Sequence, residues 1–246
     1  MTASLASVTG RAGGEGYRDS AGLRLEDYPR PSVAVDVAVL TVRADTLGVV
    51  AVTREGQGTR LPGTFLHPGE RLADAAARVL HDKVGLDGVT VHQLEVFDAP
   101  DRDDRGWVVS VGHGAALPAH RVPDDALLLP LPGGRLTVAL QYDHEQIVAR
   151  AVQDLRARYG REIDPDGLLD ETFTVLALRR LYEAVFGHPL VPDTFRRLVV
   201  EHLEETGELR SAGAGRPAAT FRLRPEPFLP PSGVPFLVGG RARDRR

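Results

Sequence analysis

The sequence predicts an α+β chain in two parts: a mixed-sheet sandwich with a helix packed on it, then a small module of two helices and a hairpin. The prediction rests on runs rich in β-branched residues that flank one amphipathic helical pattern within the first 160 residues. It rests also on two short helical patterns after residue 170, followed by an arginine-bearing hairpin pattern.

Residues 1–30 are rich in Gly, Ser, Ala and charge without apolar periodicity, and are expected to be a disordered tail. Ser32–Val42 (SVAVDVAVLTV) reads as a buried strand, and Leu47–Thr53 as its neighbour across a turn at Ala44–Asp45–Thr46. Pro62–Gly63 and Pro68–Gly69 punctuate a loop. Leu72, Ala75, Ala76, Val79, Leu80 and Val84 then recur at helical spacing until Gly85 stops the helix. Val89–Phe97, Trp107–Ala115 and Leu136–Tyr142 are three further strand candidates. Asp143–Tyr159 is a polar helix with Ile147, Ala151 and Leu155 on one side, closed by Gly160 and Pro165. Thr174 caps a helix that runs to Phe186 and stops at Gly187. Asp193 caps a second, Thr194–Thr206, with Phe195, Leu198, Val199 and Leu203 on its apolar face. Leu209–Arg210–Ser211, a Gly213–Ala214–Gly215 turn, Arg216 and Ala218–Leu223 complete a hairpin, and residues 225–246 read as a flexible tail.

Composition narrows the function classes. The 246 residues, 42% of them hydrophobic, suffice for one large domain or two ordinary ones. The absence of cysteine removes disulfides and thiolate metal sites. No apolar run approaches the roughly 20 residues of a membrane span, and the N-terminus lacks a signal-peptide pattern. A soluble, cytoplasmic protein is expected. Residues 1–170 carry 18 basic against 25 acidic side chains, whereas residues 171–246 carry 12 against 9. The positive balance at the C-terminal end hints at a polyanionic partner.

The stretch Leu61–Leu86 is similar to a Nudix box, G-x5-E-x7-R-E-U-x-E-E-x-G-U. Glu70 takes the first glutamate position, Arg78 the arginine and Gly85–Leu86 the closing pair; Thr64 stands at the first glycine. In such a box the glutamates of R-E-U-x-E-E fall at i, i+3 and i+4, on one helix face, where they hold Mg²⁺ against a diphosphate. Here those positions are Val79, Asp82 and Lys83, so one carboxylate remains and a cation replaces another. Mg²⁺ gives up its water shell reluctantly and binds a single carboxylate weakly, so no catalytic residue and no metal ligand set is expected. Glu70 and Arg78 read as a loop-to-helix ion pair. Pro100–Gly106 (PDRDDRG) resembles the P-x-R-D-P-R-G segment of ADP-ribose-type Nudix proteins, with Asp104 at the second proline. Arg102 and Arg105 either clamp a diphosphate or form internal pairs with the loop's aspartates.

Helix, turn, helix, hairpin is the winged helix-turn-helix plan. Thr194, Arg196 and Arg197 then point outward near the start of the second helix, where a recognition helix meets the major groove, with Arg216 at the wing. On residue pattern alone the module is either a DNA reader or a dimerisation appendage with solubilising arginines. FTVLALRRLYEAVFGHPLVPDTFRRLVVEHLEETGE followed by AGRPAATFR resembles the C-terminal domain of the Nudix-related transcriptional regulators, the NrtR family. That resemblance covers about residues 31–224. It implies a Nudix-like α/β/α sandwich at 31–160 that binds an effector and includes a linker helix. It also implies a winged helix DNA-binding domain at 166–224. By the same resemblance the protein represses NAD metabolism genes as a homodimer on a palindromic operator. Its effector is ADP-ribose or a related nucleotide, and it has no other cofactor. The alternatives are a working Nudix hydrolase of ADP-ribose-type compounds with an accessory helical domain, and a sensor whose second domain binds another protein.

Overall fold

Eight successive residues of the first strand, Ala34–Thr41, are buried, which places β1 (Ser32–Arg43) at the centre of the sheet. Its side chains alternate between two cores: Val35, Val37 and Val39 face one, Ala38 and Leu40 the other. The computed structural model describes residues 18–54, 56, 58–210 and 217–239, and the chain divides at Pro31 into two units. In the first unit, residues 18–30 are more ordered than the expected tail. The Asp19 carboxylate accepts the amides of Ala21 and Leu23, and Leu25–Asp27 forms a 3-10 turn. Residues 1–17 lie outside the described residues.

In the second unit, β1 and β2 (Thr46–Thr53) form an antiparallel hairpin whose turn residues Ala44 and Asp45 both have positive φ. Next come β3 (Thr59–Arg60), β4 (Gly63–Phe65), helix α1 (Leu72–Val84), β5 (His92–Phe97), β6 (Val108–Ala116) and β7 (Leu127–Pro130). β6 runs parallel to β1 from Ser32↔Val108 to Leu40↔Ala116, so the sheet is mixed. The other edge of β1 is shared: β2 pairs with its C-terminal half, and β4 with Ala34–Asp36. Helix α1 buries Ala75, Ala76, Val79 and Leu80 against the first core, and ends at Gly85 in the left-handed conformation. Helix α2 (His144–Tyr159) covers the opposite face with Ile147, Val148, Ala151, Val152 and Leu155. The result is the expected α/β/α sandwich.

The strand expected at Leu136–Tyr142 is absent; that segment is irregular, with the Leu140 amide held by Glu145 and the Gln141 amide by the Thr59 carbonyl. A strand that the sequence pattern does not announce, β7, pairs with β2 from Gly48↔Pro130 to Ala51↔Leu127.

The C-terminal part comprises β8 (Phe173–Thr174), α3 (Val175–Phe186), α4 (Pro192–Val199), β9 (Leu203–Arg210), β10 (Ala218–Leu223) and α5 (Val234–Val238). β8, β10 and β9 form a three-stranded sheet. Helix α4 is shorter than its apolar periodicity suggests: Pro192 opens it rather than Asp193, and after a 3-10 turn the chain extends at Leu203 to pair with β10. The β-ladder overrides helical spacing there. Residues 225–239 are not a free tail either. Leu229 and Leu237 are buried, and Glu162 bridges to Phe228.

The two parts share one core. Leu155 and Tyr159 of α2 pack on Leu178, Tyr182 and Val185 of α3, and Tyr182 in turn on Phe195 of α4. Each of these fully buried side chains contributes roughly 1.5–3 kcal/mol by area. The Arg156 guanidinium caps the end of α3, donating to the carbonyls of Val185 (2.8 Å) and Phe186 (3.1 Å), and also to Gly133 (3.0 Å). Gly187 ends α3 at φ 77°, and a Cβ there would lie 2.6 Å from the Gly133 backbone.

Gly187→Ala meets both a left-handed backbone and the Gly133 wall, and should cost about 2–4 kcal/mol in urea unfolding; an unchanged midpoint would remove that contact as a structural constraint. Glu70 is bound by Arg78 through two bonds of 2.8 and 2.9 Å and accepts the His67 amide. The Arg78 hydrogen bonds first, then the His67 amide, hold its carboxyl down to about 2 from the ordinary 4.5. A carboxylate with a depressed pKa stabilises the fold fully above 4.5 and loses that contribution as pH falls towards 2. Glu70→Gln should therefore lower the neutral-pH midpoint and flatten the fall in stability across that acid range. Parallel acid limbs for the two proteins would contradict it.

Candidate functional site

The junction of β4 with β1 creates a cavity of about 280 Å³ between the sheet, the C-terminal end of α1 and the start of α2. At its floor is Asp36, the one charged residue within the buried run of β1. Gly63 abuts it so closely that a Cβ at that position would stand 1.9 Å from Asp36 Oδ1. Asp36 accepts from Ser110 Oγ (2.6 Å) and Arg102 Nη2 (3.5 Å), and His144 Nε2 lies 3.3 Å away. Burial pushes this carboxyl up, but the His144 and Ser110 hydrogen bonds and the Arg102 charge outweigh it and hold it below the usual range. His144 Nδ1 accepts the Leu61 amide at 2.9 Å, which leaves the ring proton on Nε2, facing Asp36.

The two loop arginines have different fates. Arg102 is buried and binds Asp143 through two bonds of 2.9 and 2.6 Å, tying the loop to the residue that precedes α2. Arg105 sits at the cavity mouth, paired with Asp103 (2.8 and 2.6 Å) and placed over the rings of Phe65 (5.3 Å) and Tyr142 (5.1 Å). Both arginines line the cavity, and each already has a carboxylate partner, within the loop for Arg105 and outside it for Arg102.

Of the degenerate box residues, Glu70 and Arg78 pin the loop to α1, and Arg78 also reaches Thr64 Oγ1 and the Phe65 carbonyl. Val79 is buried in the core, Asp82 is exposed, and Lys83 Nζ donates to the Gly63 carbonyl at the cavity wall. Arg54 and Arg60 line the same cavity. Among the described residues no group of three or more His, Cys, Asp or Glu side chains is placed to hold a metal ion. An apolar, a carboxylate and an ammonium side chain do not form an Mg²⁺ donor set. Sequence reasoning missed Asp36 and His144. Their signals are an aspartate inside an otherwise apolar strand and a histidine opening a helix.

In the C-terminal module, Phe195 and Val199 of α4 face the core while Arg196 and Arg197 are exposed and Thr194 is half-buried. Arg196 and Arg197 form no side-chain hydrogen bond or ion pair among the described residues. The hairpin arginines differ: Arg222 pairs with Glu204 at 3.0 Å and Arg210 with Asp170 at 3.4 Å. Arg216 lies outside the described residues.

Known proteins fall in with this geometry. A family model described as the NrtR DNA-binding winged helix domain matches residues 167–223. The chain is 29% identical over 213 residues to the ADPR responsive transcriptional repressor NtrR of Acinetobacter baylyi, covering 80% of this chain and 84% of that protein. It is 31% identical over 127 residues to an ADP-ribose pyrophosphatase of Methanocaldococcus jannaschii, covering 49% of this chain and 73% of the relative. The crystal structure of Shewanella oneidensis NrtR complexed with a 27mer DNA superposes with a TM-score of 0.65 at 28% identity, over 78% of this chain and 94% of that one. Residues 167–223 thus form an NrtR-type DNA-binding winged helix domain, and along both of its parts the chain is similar to the NrtR family of Nudix-related transcriptional regulators.

Proposed function

We propose that this protein is a cytoplasmic transcriptional repressor of NAD metabolism genes that binds a palindromic operator as a homodimer. Its sandwich binds ADP-ribose or a related nucleotide and leaves it intact. The observation that carries this reading is the single helix α2. Its first turn walls a cationic cavity through His144, and its last turn is packed into the winged helix through Tyr159. A ligand that displaces the start of α2 changes the support under α3 and α4. Thr194, Arg196 and Arg197 contact the major groove, and Arg216 reaches phosphate or a neighbouring minor groove. Arg105 faces the ligand at the cavity mouth, while Arg102 senses it through Asp143. The relatives support both halves: one is named ADPR responsive, and another is crystallised with DNA. No helix among the described residues is long and apolar enough to cross a membrane.

The pyrophosphatase relative favours a second reading, hydrolysis of ADP-ribose by the sandwich. Val79 and Lys83 at two metal-ligand positions oppose it.

Incubation with ADP-ribose and Mg²⁺, followed by a gel-shift on the protein's own promoter fragment, separates the two. Intact ADP-ribose with a shift that the ligand changes supports the regulator; turnover supports the hydrolase. By linkage, operator and ADP-ribose must alter each other's affinity by the same factor. Calorimetry giving one ligand affinity with and without operator would sink the coupling. Arg196→Ala should relax base preference at a cost of about 1–3 kcal/mol, and Arg216→Ala should lower the salt slope by about one. If neither variant binds operator more weakly, the assignment of this face is wrong.

A further inference from the structure

Lys83 is the only lysine among the chain's 30 basic residues, and it stands where the box would carry its last metal-binding glutamate. The ammonium lies on the cavity wall and donates to a neutral partner, the Gly63 carbonyl. Arg102 and Arg105, by contrast, are bonded to carboxylates. An ammonium has three donors, so two remain for oxygens entering the cavity. Partial desolvation at the wall pulls the Lys83 pKa down, as do the charges of Arg60, Arg54 and Arg105, while Asp36 opposes them. The cavity therefore concentrates positive charge beyond what its own carboxylates neutralise, and an incoming anion relieves that repulsion. The Lys83 ammonium is a compact point charge on a flexible stem, as a metal ion is a point charge, where arginine offers a planar fork.

We propose that Lys83 replaces the divalent metal as a fixed counter-charge, so that the cavity binds a diphosphate-bearing nucleotide without any metal ion. The inference rests on the nucleotide reading of the cavity and adds the charge chemistry by which the ligand is held. A built-in cation differs from Mg²⁺ in consequence as well as in origin. It neutralises the diphosphate but coordinates no attacking water, so recognition and hydrolysis are uncoupled.

The test is calorimetric titration of the full chain with ADP-ribose, in EDTA and in millimolar Mg²⁺. The native protein should bind equally in both. Lys83→Met, a substitution of an exposed helical residue by another good helix former, should weaken binding by about 10- to 100-fold, the loss of one charge-assisted bond. Lys83→Glu should bind poorly in EDTA and regain affinity with Mg²⁺. A native protein that needs Mg²⁺, or a Lys83→Met variant that binds like the native one, overturns the proposal while leaving the nucleotide reading intact. Absence of ADP-ribose binding under both conditions strikes the nucleotide reading instead. Inorganic pyrophosphate then decides on the cation: metal-free binding that Lys83→Met abolishes supports it, and no binding overturns it.

Discussion

The constraint on which the site depends is the buried carboxylate of Asp36. A charge in the middle of an apolar strand is tolerated only if donors converge on it from every side. Here they come from β6 (Ser110), from the loop before it (Arg102) and from α2 (His144). The same carboxylate forbids a side chain at position 63 and so brings β4 flush against β1. Four separate segments are thereby held in register by one anion. The cavity is what remains between them, and its outer wall is Lys83, whose partner is the Gly63 carbonyl that Asp36 has fixed in place.

From that anion the structure continues along α2 to the C-terminal module. The helix is tied at its start by Arg102–Asp143 and by the His144 ring. At its end Arg156 holds the last carbonyls of α3, and Tyr159 donates to Asp164. Helix α2 lays Leu155 and Tyr159 into the core of the small C-terminal module, where the Tyr159 ring meets Tyr182 edge-on. A module of about 50 residues is marginal by itself, so a core shared with a larger sandwich adds stability as well as a means of communication.

Much of this was legible in the residues, and the failures have physical causes. Helix α1 is readable because its apolar spacing, its Gly85 stop and its Glu70–Arg78 pair agree with one another. Helix α4 misleads because Leu203 continues the helical period, yet the amides beyond it find better partners in β10. The Leu136–Tyr142 segment has strand-like composition, but its amides are met singly, Leu140 by the Glu145 carboxylate and Gln141 by the Thr59 carbonyl, and no ladder forms. The division near residue 160 is readable because Gly160 and Pro165 break the helix, while the hydrophobic core that continues across it is not announced locally. Asp36 and His144 are 108 positions apart in the numbering, and nothing local announces that they meet. Arg102 and Arg105 were visible as chemistry, but only their pairing with Asp143 and Asp103 shows that one braces the fold while the other guards the opening.

A sensor and an enzyme place opposite demands on the same pocket. An enzyme must bind the transition state more tightly than the substrate, and a metal-bound water serves that end. A sensor must bind its ligand unequally in two conformations of the protein, and consuming the ligand would erase the signal. Val79 and Lys83 at two of the glutamate positions suit the second demand better than the first, since neither side chain is a ligand for a catalytic Mg²⁺. Val79 adds apolar contact to the core beneath the site, while Lys83 places a positive charge on the cavity wall. Because that charge belongs to the chain, its position is coupled to Gly63, hence to Asp36, hence to His144 at the start of α2. A freely exchanging metal ion would break that chain of contacts at its first link.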